Sequence, residues 1–159
     1  MDGPSTSGAS AKATDDRPLP PGVSVDLARR ALAAQPFSIL LGARLLSFGR
    51  GQAVLEVPIR DELMQQNGYV HGGVLAYAAD NALTFAGASV LGAAVLTGGF
   101  TITYLRPAEG RLLRAHATVL QAEARQAVCR CDLIAVGDAG DMLCAAAQGT
   151  VVLTRRSAS

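Results

Sequence analysis

Residues 72–91 read GGVLAYAADNALTFAGASVL, twenty positions with one charged side chain, that of Asp80. A helix drawn through this stretch is apolar nearly all round, which predicts that protein surrounds it. A membrane span is disfavoured, because a carboxylate near its middle costs about 2.5–3.5 kcal/mol to insert and no basic cluster flanks the stretch. The sequence therefore predicts a helix from Gly72 to about Leu91, buried inside a soluble protein that has no membrane partner.

The segments on either side of this helix have the pattern of strands. Two are predicted before it, at 39–48 and 52–59, around a hairpin turn at 49–51. Four are predicted after it, at 94–106, 112–124, 127–136 and 142–154, separated by turn-forming residues or polar breaks. Short links favour antiparallel pairing, and a helix that is apolar all round needs a sheet that curls around it. The predicted class is α+β, with a short leading helix at 25–35 that ends before Pro36.

The bulk composition limits the classes of function. The chain has 159 residues, half of them hydrophobic, which suits a single domain. Its net charge is only +1 and no long basic run occurs, so nucleic acid is not an expected partner. Residues 1–22 lack the apolar core of a secretory signal. They predict a disordered leader before one domain at 23–156, in a cytoplasmic protein.

The three cysteines, Cys129, Cys131 and Cys144, lie in apolar stretches. The first two would share one face of a strand. We expect small buried hydrophobic residues in a reducing compartment. A Cys-x-Cys pair inside a strand is a poor zinc ligand set, so no metal is expected.

Asp80 is the first candidate functional residue. An ionised carboxylate among apolar residues is costly unless it is paired, hydrogen-bonded or hydrated. No Lys or Arg occurs between residues 61 and 99, so a partner on the same helix is excluded. Asp80 therefore either pairs with a distant arginine or faces a cleft as a base or nucleophile.

The segment NGYVHGG at 67–73 is the second candidate, because it ends where the helix begins. A helix start offers unpaired N–H groups and the positive end of the dipole, and glycine lets a ligand approach the backbone closely. These features suit an oxyanion hole, whose donors point at charge that develops on a carbonyl oxygen. The alternative is that His71 only caps the helix.

The spacing of these two candidates bears on assembly. Nine residues separate His71 from Asp80, which is roughly 13.5 Å along a helix and about half a turn round it. They cannot meet within one chain. If both serve one site, a second subunit supplies one of them, and a two-fold axis generates two identical sites.

The third candidate is the start of the segment TGGFTITYLRP at 97–107. Paired glycines in a strand pattern indicate a bulge or a close backbone approach. Thr97 precedes them, and it either holds a water or a carboxylate or is an ordinary strand hydroxyl.

Taken together, NxxxHGG at 67–73, DN at 80–81 and TYLRP at 103–107 resemble the phenylacetate-degradation (PaaI-like) branch of the hotdog-fold thioesterases. The resemblance covers about residues 37–154. It implies the hotdog fold, a six-stranded antiparallel sheet wrapped around one long helix. It also implies homodimers with two sites at the interface, often paired into homotetramers, that hydrolyse acyl-CoA without a cofactor.

The resemblance also implies a role for each candidate residue. The Gly72 N–H would polarise the thioester carbonyl, oriented by His71 at the helix start. Asn67 would help to place the water or the thioester, and Asp80 of the facing subunit would be the general base or the nucleophile. Thr97 would assist that carboxylate.

Two departures from the family pattern concern substrate binding. Glycines stand at 98 and 99, where many relatives carry side chains, so the acyl pocket is widened or the strand is bent. Gly98 and Gly73 are both expected substrate contacts. The turn at 121–126 lacks the usual Gly-Lys, and Arg125 either replaces it near a CoA phosphate or simply faces solvent.

The expected activity is hydrolysis of an aromatic or medium-chain acyl-CoA, with base catalysis by Asp80 favoured over direct attack. No Gly-x-Ser-x-Gly motif is present, so a serine hydrolase mechanism is unsupported. The main alternative is a non-catalytic acyl-CoA binding or sensing protein, which would not need Asp80. A hydratase on the same fold ranks lower, because the segment around His71 does not match the hydratase pattern.

Overall fold

The computed structural model describes residues 17–154. Two short helices come first, α1 (Val25–Ala33) and α2 (Pro36–Leu41), followed by the hairpin of β1 (Arg44–Gly49) and β2 (Gln52–Pro58). A 3₁₀ turn (Asp61–Leu63) precedes the long helix α3 (Gly72–Leu91). Four strands complete this range: β3 (Val95–Tyr104), β4 (Leu112–Ala122), β5 (Gln126–Gly137) and β6 (Gly140–Leu153). Residues 1–16 of the predicted leader lie outside the described residues, and 17–22 contain no helix or strand.

The six strands form one antiparallel sheet in the order β1-β2-β4-β5-β6-β3. Helix α3 packs against all six strands. The structure thus confirms the predicted α+β class and the bounds of the buried helix. Although α3 is long and apolar enough to cross a membrane, 61% of that stretch is buried inside the fold.

Small residues bring α3 close to the sheet. Ala78, Ala82 and Ala86 are fully buried, and a methyl group on Gly87 would lie 2.6 Å from the Val151 side chain on β6. Glycine at 87 is therefore required by the space available and not by its backbone conformation. This close seating fixes the position of the helix from which the candidate carboxylate projects.

Helix α2 is a difference from the sequence prediction, which placed a strand at 39–48. The chain is helical from Pro36 to Leu41, and the strand begins only at Arg44. Pro36 favours the first turn of a helix because its φ is already suitable and its missing N–H would have no partner there. Gly42 ends the helix with φ +70°, which glycine adopts at low cost. Helix α1 likewise stops at Ala33, two residues before the predicted end.

The packing of α2 brings new groups to the long helix. The ring of Phe37 lies edge-on to that of Tyr77, with centroids 5.2 Å apart. Ser38 is buried and accepts a 2.6 Å hydrogen bond from the Tyr77 hydroxyl. The chain before the sheet therefore helps to build the surface of α3 near Asp80.

Strand β3 is an edge of the sheet and pairs with β6 alone. Its register shifts between Thr97 and Gly99, which confirms the bulge predicted from the paired glycines. Leu96 on this strand is 62% exposed. The strand thus leaves both an open backbone edge and apolar side chains uncovered within the described chain.

The burial of the cysteines agrees with the sequence prediction, and the outer face of the sheet carries charged and polar side chains. All three cysteines are free and buried, and burial raises the pKa of the Cys129 thiol to about 11. His116 is exposed on the outer face beside Arg114, whose guanidinium lies 2.7 Å from Glu56. Burial, followed by the charge of Arg114, lowers the pKa of His116.

Candidate active site

His71 organises the start of α3. Its Nδ1 accepts a 2.9 Å hydrogen bond from the N–H of Gly73, and its carbonyl accepts one of 2.9 Å from Val74. The N–H of Gly72 has no hydrogen-bond partner among residues 17–154. His71 is thus a helix cap, and its capping leaves one nearby donor uncommitted. That donor is the N–H of Gly72, the group expected to polarise a carbonyl oxygen.

The same hydrogen bond determines where the imidazole carries its proton. Because Nδ1 of His71 accepts from Gly73, the hydrogen of the neutral ring is on Nε2. The backbone N–H of His71 donates to Leu63 at 2.8 Å, which ties the cap to the 3₁₀ turn. The cap is therefore held from both sides, and its Nε2–H remains a second potential donor.

Tyr104, from the TYLRP segment, closes the other side of the helix start. Its hydroxyl donates a 2.9 Å hydrogen bond to the carbonyl of Gly72. A Cβ on Gly72 would come within 3.2 Å of the Tyr104 ring carbon and oxygen, so a larger residue here would require the Tyr104 side chain to shift by a few tenths of an ångström. The sequence identified Tyr104 only as part of a motif, because nothing in the local pattern shows that it reaches residue 72.

A cleft of about 340 Å³ opens beside Gly72, and we call it the helix-start cleft. Arg106 is the one charged side chain among its lining residues. The other lining residues are Gln65, Tyr69, Val70, Gly72, Leu75, Tyr104, Leu105, Pro107 and Ala108. The uncommitted N–H thus borders a mostly apolar space.

A second cleft, of about 410 Å³, contains Asp80, and we call it the carboxylate cleft. Its lining residues are Gln35, Phe37, Gly73, Ala76, Tyr77, Asp80, Asn81 and Phe100. Asp80 is half-buried, and its carboxylate has no ion pair or hydrogen bond to any other residue in the described range. The distant arginine that the sequence left open as a partner is not found there. The carboxylate is available to a molecule in the cleft.

The two clefts lie on different faces of α3. Gly72 and Leu75 line the first, whereas Gly73, Tyr77 and Asp80 line the second, at the spacing of one helical face. One chain therefore does not bring the Gly72 donor and the Asp80 carboxylate into the same cavity. This arrangement is the one that the nine-residue spacing predicted.

Thr97 contacts Thr84, a residue that sequence reasoning missed. The two hydroxyl oxygens are 2.6 Å apart, and Thr84 also donates a 2.8 Å hydrogen bond to the backbone carbonyl of Asp80. Thr84 lies one helical turn after Asp80, and that spacing is the only signal that the sequence held. The third candidate is thus connected to the backbone of the first.

A second hydrogen-bonded chain supports the wall of the carboxylate cleft. The Tyr77 hydroxyl donates to Ser38, which donates in turn to the Gln35 side-chain carbonyl at 2.6 Å. Burial is the main cause that raises the pKa of Tyr77; the Ser38 hydrogen bond opposes it and the charge of Asp80 adds to it. The phenol therefore stays protonated, so Asp80 is the one anionic group that lines this cleft.

Five predicted residues line neither cleft: His71 and Thr97, described above, and Asn67, Gly98 and Arg125. Asn67 is exposed in the loop before α3, and its backbone N–H is 3.4 Å from the Gln65 side chain. Gly98 is exposed at the β3 bulge. Arg125 is exposed between β4 and β5, with its guanidinium 3.4 Å from the carbonyl of Leu153. Residues 17–154 contain no group of three or more metal-ligating side chains.

Both a family model and solved structures of known proteins match this chain. The sequence model of the family described as the thioesterase superfamily matches residues 67–141. This range includes helix α3, which borders both clefts. A thioesterase family protein from Silicibacter pomeroyi is 31% identical, with a TM-score of 0.75 over 79% of this chain and 93% of that one. A variant of the phenylacetic acid degradation protein PaaI from Thermus thermophilus is 26% identical, with a TM-score of 0.67 over 76% and 100%.

A thioesterase from Haemophilus influenzae shares the fold, with a TM-score of 0.74 at 20% identity over 87% of this chain and 96% of that one. No curated protein matches the sequence. The likeness thus rests on the family model and on solved structures that this chain covers nearly end to end.

Proposed function

Because the chain belongs to the thioesterase superfamily, we propose that it hydrolyses acyl-CoA thioesters, with Asp80 as the general base or nucleophile and Gly72 N–H as the oxyanion donor. The observation that carries this proposal is the unpaired carboxylate of Asp80 in a cleft, on a helix with no other charge. Burying an ionised carboxylate without a partner is costly, so such a group is retained where it meets a ligand or a water.

The two halves of the site would come from two subunits of a homodimer. Gly72 and Asp80 border different clefts of one chain, and a facing copy would bring one cleft against the other. Strand β3 supports this assembly, because it has a free edge and because Leu96, Tyr104 and Leu105 are 62%, 53% and 47% exposed. Uncovered strand edges with apolar side chains readily pair with another chain. A dimer, alone or paired into a tetramer, is the expected species in sedimentation.

In the reaction, Asp80 removes a proton from a water, whose oxygen attacks the thioester carbonyl carbon. The carbonyl oxygen gains negative charge and accepts a hydrogen bond from Gly72 N–H of the facing subunit. When the carbonyl re-forms, the carbon–sulfur bond breaks, and the proton held by Asp80 passes to the CoA thiolate. The products are the free acid and CoA, and no metal or cofactor takes part.

The carboxylate cleft suggests which acyl groups the protein accepts. Aromatic side chains of Phe37, Tyr77 and Phe100 line it, and its volume is about 410 Å³. A planar ring packs well against edges and faces of other rings. Aromatic and medium-chain acyl groups are therefore the proposed substrates. The free, buried cysteines support a reducing compartment, so we place the protein in the cytoplasm.

The test is release of free thiol from a panel of acyl-CoA thioesters by the wild type and by Asp80→Asn. The matched control is Asp132→Asn, which changes a partly exposed carboxylate on the outer face of the sheet. We expect Asp80→Asn to lose about a hundredfold or more in kcat, with an unchanged Tm, and Asp132→Asn to lose little. Equal turnover by wild type and Asp80→Asn would refute the assignment. Binding of acyl-CoA without turnover by the wild type would favour the non-catalytic binding protein.

A further inference from the structure

The hydroxyl of Thr84 makes two short contacts on the helical turn that follows Asp80. Its oxygen lies 2.8 Å from the carbonyl oxygen of Asp80, to which it donates, and 2.6 Å from the hydroxyl oxygen of Thr97. A residue four positions after Asp80 shares its face of the helix. The bulge at 97–99 of β3 places the Thr97 hydroxyl against this face.

The number of hydrogens decides the direction of the second contact. A hydroxyl has one hydrogen to donate and two lone pairs that accept. The hydrogen of Thr84 is used on the Asp80 carbonyl, so the hydrogen between the two threonines must come from Thr97. Thr97 then has no hydrogen left for another partner, and its oxygen can only accept.

We propose that Thr84 is a positioning residue. Its oxygen accepts the hydrogen bond from the Thr97 hydroxyl, so that Thr97 can only accept a hydrogen bond from the water that Asp80 activates. This inference rests on the proposed thioester hydrolysis. One hydrogen of the attacking water transfers to the Asp80 carboxylate, and its oxygen forms the bond to the carbonyl carbon. The other hydrogen stays on that oxygen and is hydrogen-bonded to Thr97. Two acceptors thereby orient the water lone pair toward the substrate.

Within the described chain, the carboxylate cleft contains no second charged side chain. Besides Asp80, the one titratable side chain that lines the carboxylate cleft is Tyr77, whose hydrogen is donated to Ser38. The lining groups from α2 and β3 are uncharged. Thr97 is therefore the hydroxyl on this turn whose hydrogen is released if Thr84 no longer accepts it.

The variant Thr84→Val removes the hydroxyl and keeps the shape of the side chain. The freed Thr97 hydrogen then donates to the Asp80 carboxylate, which stabilises the charged form and weakens it as a base. We expect the acidic limb of the profile of kcat/KM against pH to move down by about half a pH unit or more. We expect kcat to fall roughly tenfold with little change in KM, since one charge-assisted hydrogen bond is involved.

Two further variants separate positioning from packing. Thr84→Ser keeps the hydroxyl and should restore both the pH profile and kcat. Ser89→Ala is the matched control, because the Ser89 hydroxyl also donates to a helix carbonyl (2.6 Å) and contacts another segment, through Gly51 N–H at 2.7 Å. It lies at the far end of α3 and should lower Tm without moving the pH profile.

A second readout does not depend on turnover. The titration midpoint of the Asp80 carboxyl ¹³C signal should fall in Thr84→Val and return in Thr84→Ser and in Thr84→Val/Thr97→Val. An unchanged midpoint in Thr84→Val, or an equal fall in the double variant, overturns the proposal even if Asp80→Asn abolishes hydrolysis. If the midpoints follow the expected pattern but the wild type hydrolyses no thioester, the hydrogen assignment stands and the proposed function fails.

Discussion

His71 has two proposed roles, as the cap of α3 through Nδ1 and as a hydrogen-bond donor through Nε2–H. One pair of substitutions separates them. His71 Nδ1 accepts from Gly73 N–H at 2.9 Å, and this leaves the Gly72 N–H as the uncommitted donor. In Asn, the side-chain oxygen branches from the same carbon position as Nδ1, and Asn is among the best helix-capping residues. His71→Asn therefore keeps the cap and removes Nε2–H, whereas His71→Ala removes both.

The size of each effect follows from this geometry. Loss of one capping hydrogen bond costs about 1 kcal/mol, which corresponds to a fall in Tm of roughly 2–4 °C for a chain of this length. We expect this fall for His71→Ala and a Tm close to wild type for His71→Asn. If His71 acts by holding the loop that presents Gly72, kcat should drop about tenfold in His71→Ala and stay within about threefold in His71→Asn.

The assay is thermal unfolding of the three proteins in parallel with thiol release from one acyl-CoA at saturating concentration. A result in which His71→Asn keeps its Tm but loses as much kcat as His71→Ala would refute the reasoning. It would show that Nε2–H contacts the substrate directly. An unchanged Tm in His71→Ala would show instead that the cap contributes nothing to stability.

Three further predictions concern the body of the fold. Gly87→Ala should destabilise by about 1–3 kcal/mol in urea unfolding, because its methyl would overlap Val151 at 2.6 Å; Val151→Ala should rescue part of this, and a variant as stable as wild type would contradict the close packing. Glu56→Ala should cost about 1 kcal/mol because it leaves the partly buried Arg114 without its 2.7 Å partner, and unchanged stability would rule out a contribution from the pair. The Cys129 thiol, with its pKa raised to about 11, should not react with a thiol reagent at pH 8 until the protein unfolds; fast labelling of native protein would contradict its burial.

The long helix could be predicted from sequence because its signal does not depend on its neighbours. Twenty residues with one charge determine both the helix and the burial that a surrounding sheet must supply. Helix α2 could not be predicted in the same way. An apolar run such as 39–41 suits a strand or a helix equally, and the choice depends on Pro36 and Gly42 at its ends.

The same distinction, whether a signal depends on distant neighbours, applies to the residues of the candidate site. Asp80 could be singled out because the cost of burying a charge is a property of the residue itself. Thr84 and Ser38 could not, since their hydrogen-bond partners are 13 and 39 residues away and an isolated hydroxyl in a sequence has no distinguishing pattern. The roles expected for all of the candidate residues stay predictions, and Asn67, Gly98 and Arg125 are far enough from both clefts that they line neither in the single chain.

The placement of Gly72 and Asp80 in different clefts of one chain has a genetic consequence. If a facing copy completes each site as proposed, two alleles with damage in different clefts would complement each other. A mixed dimer of the two products would have one site that carries both lesions and one that carries neither. Neither allele alone would support growth that depends on the enzyme, but cells that express both would recover up to half of the sites in their mixed dimers.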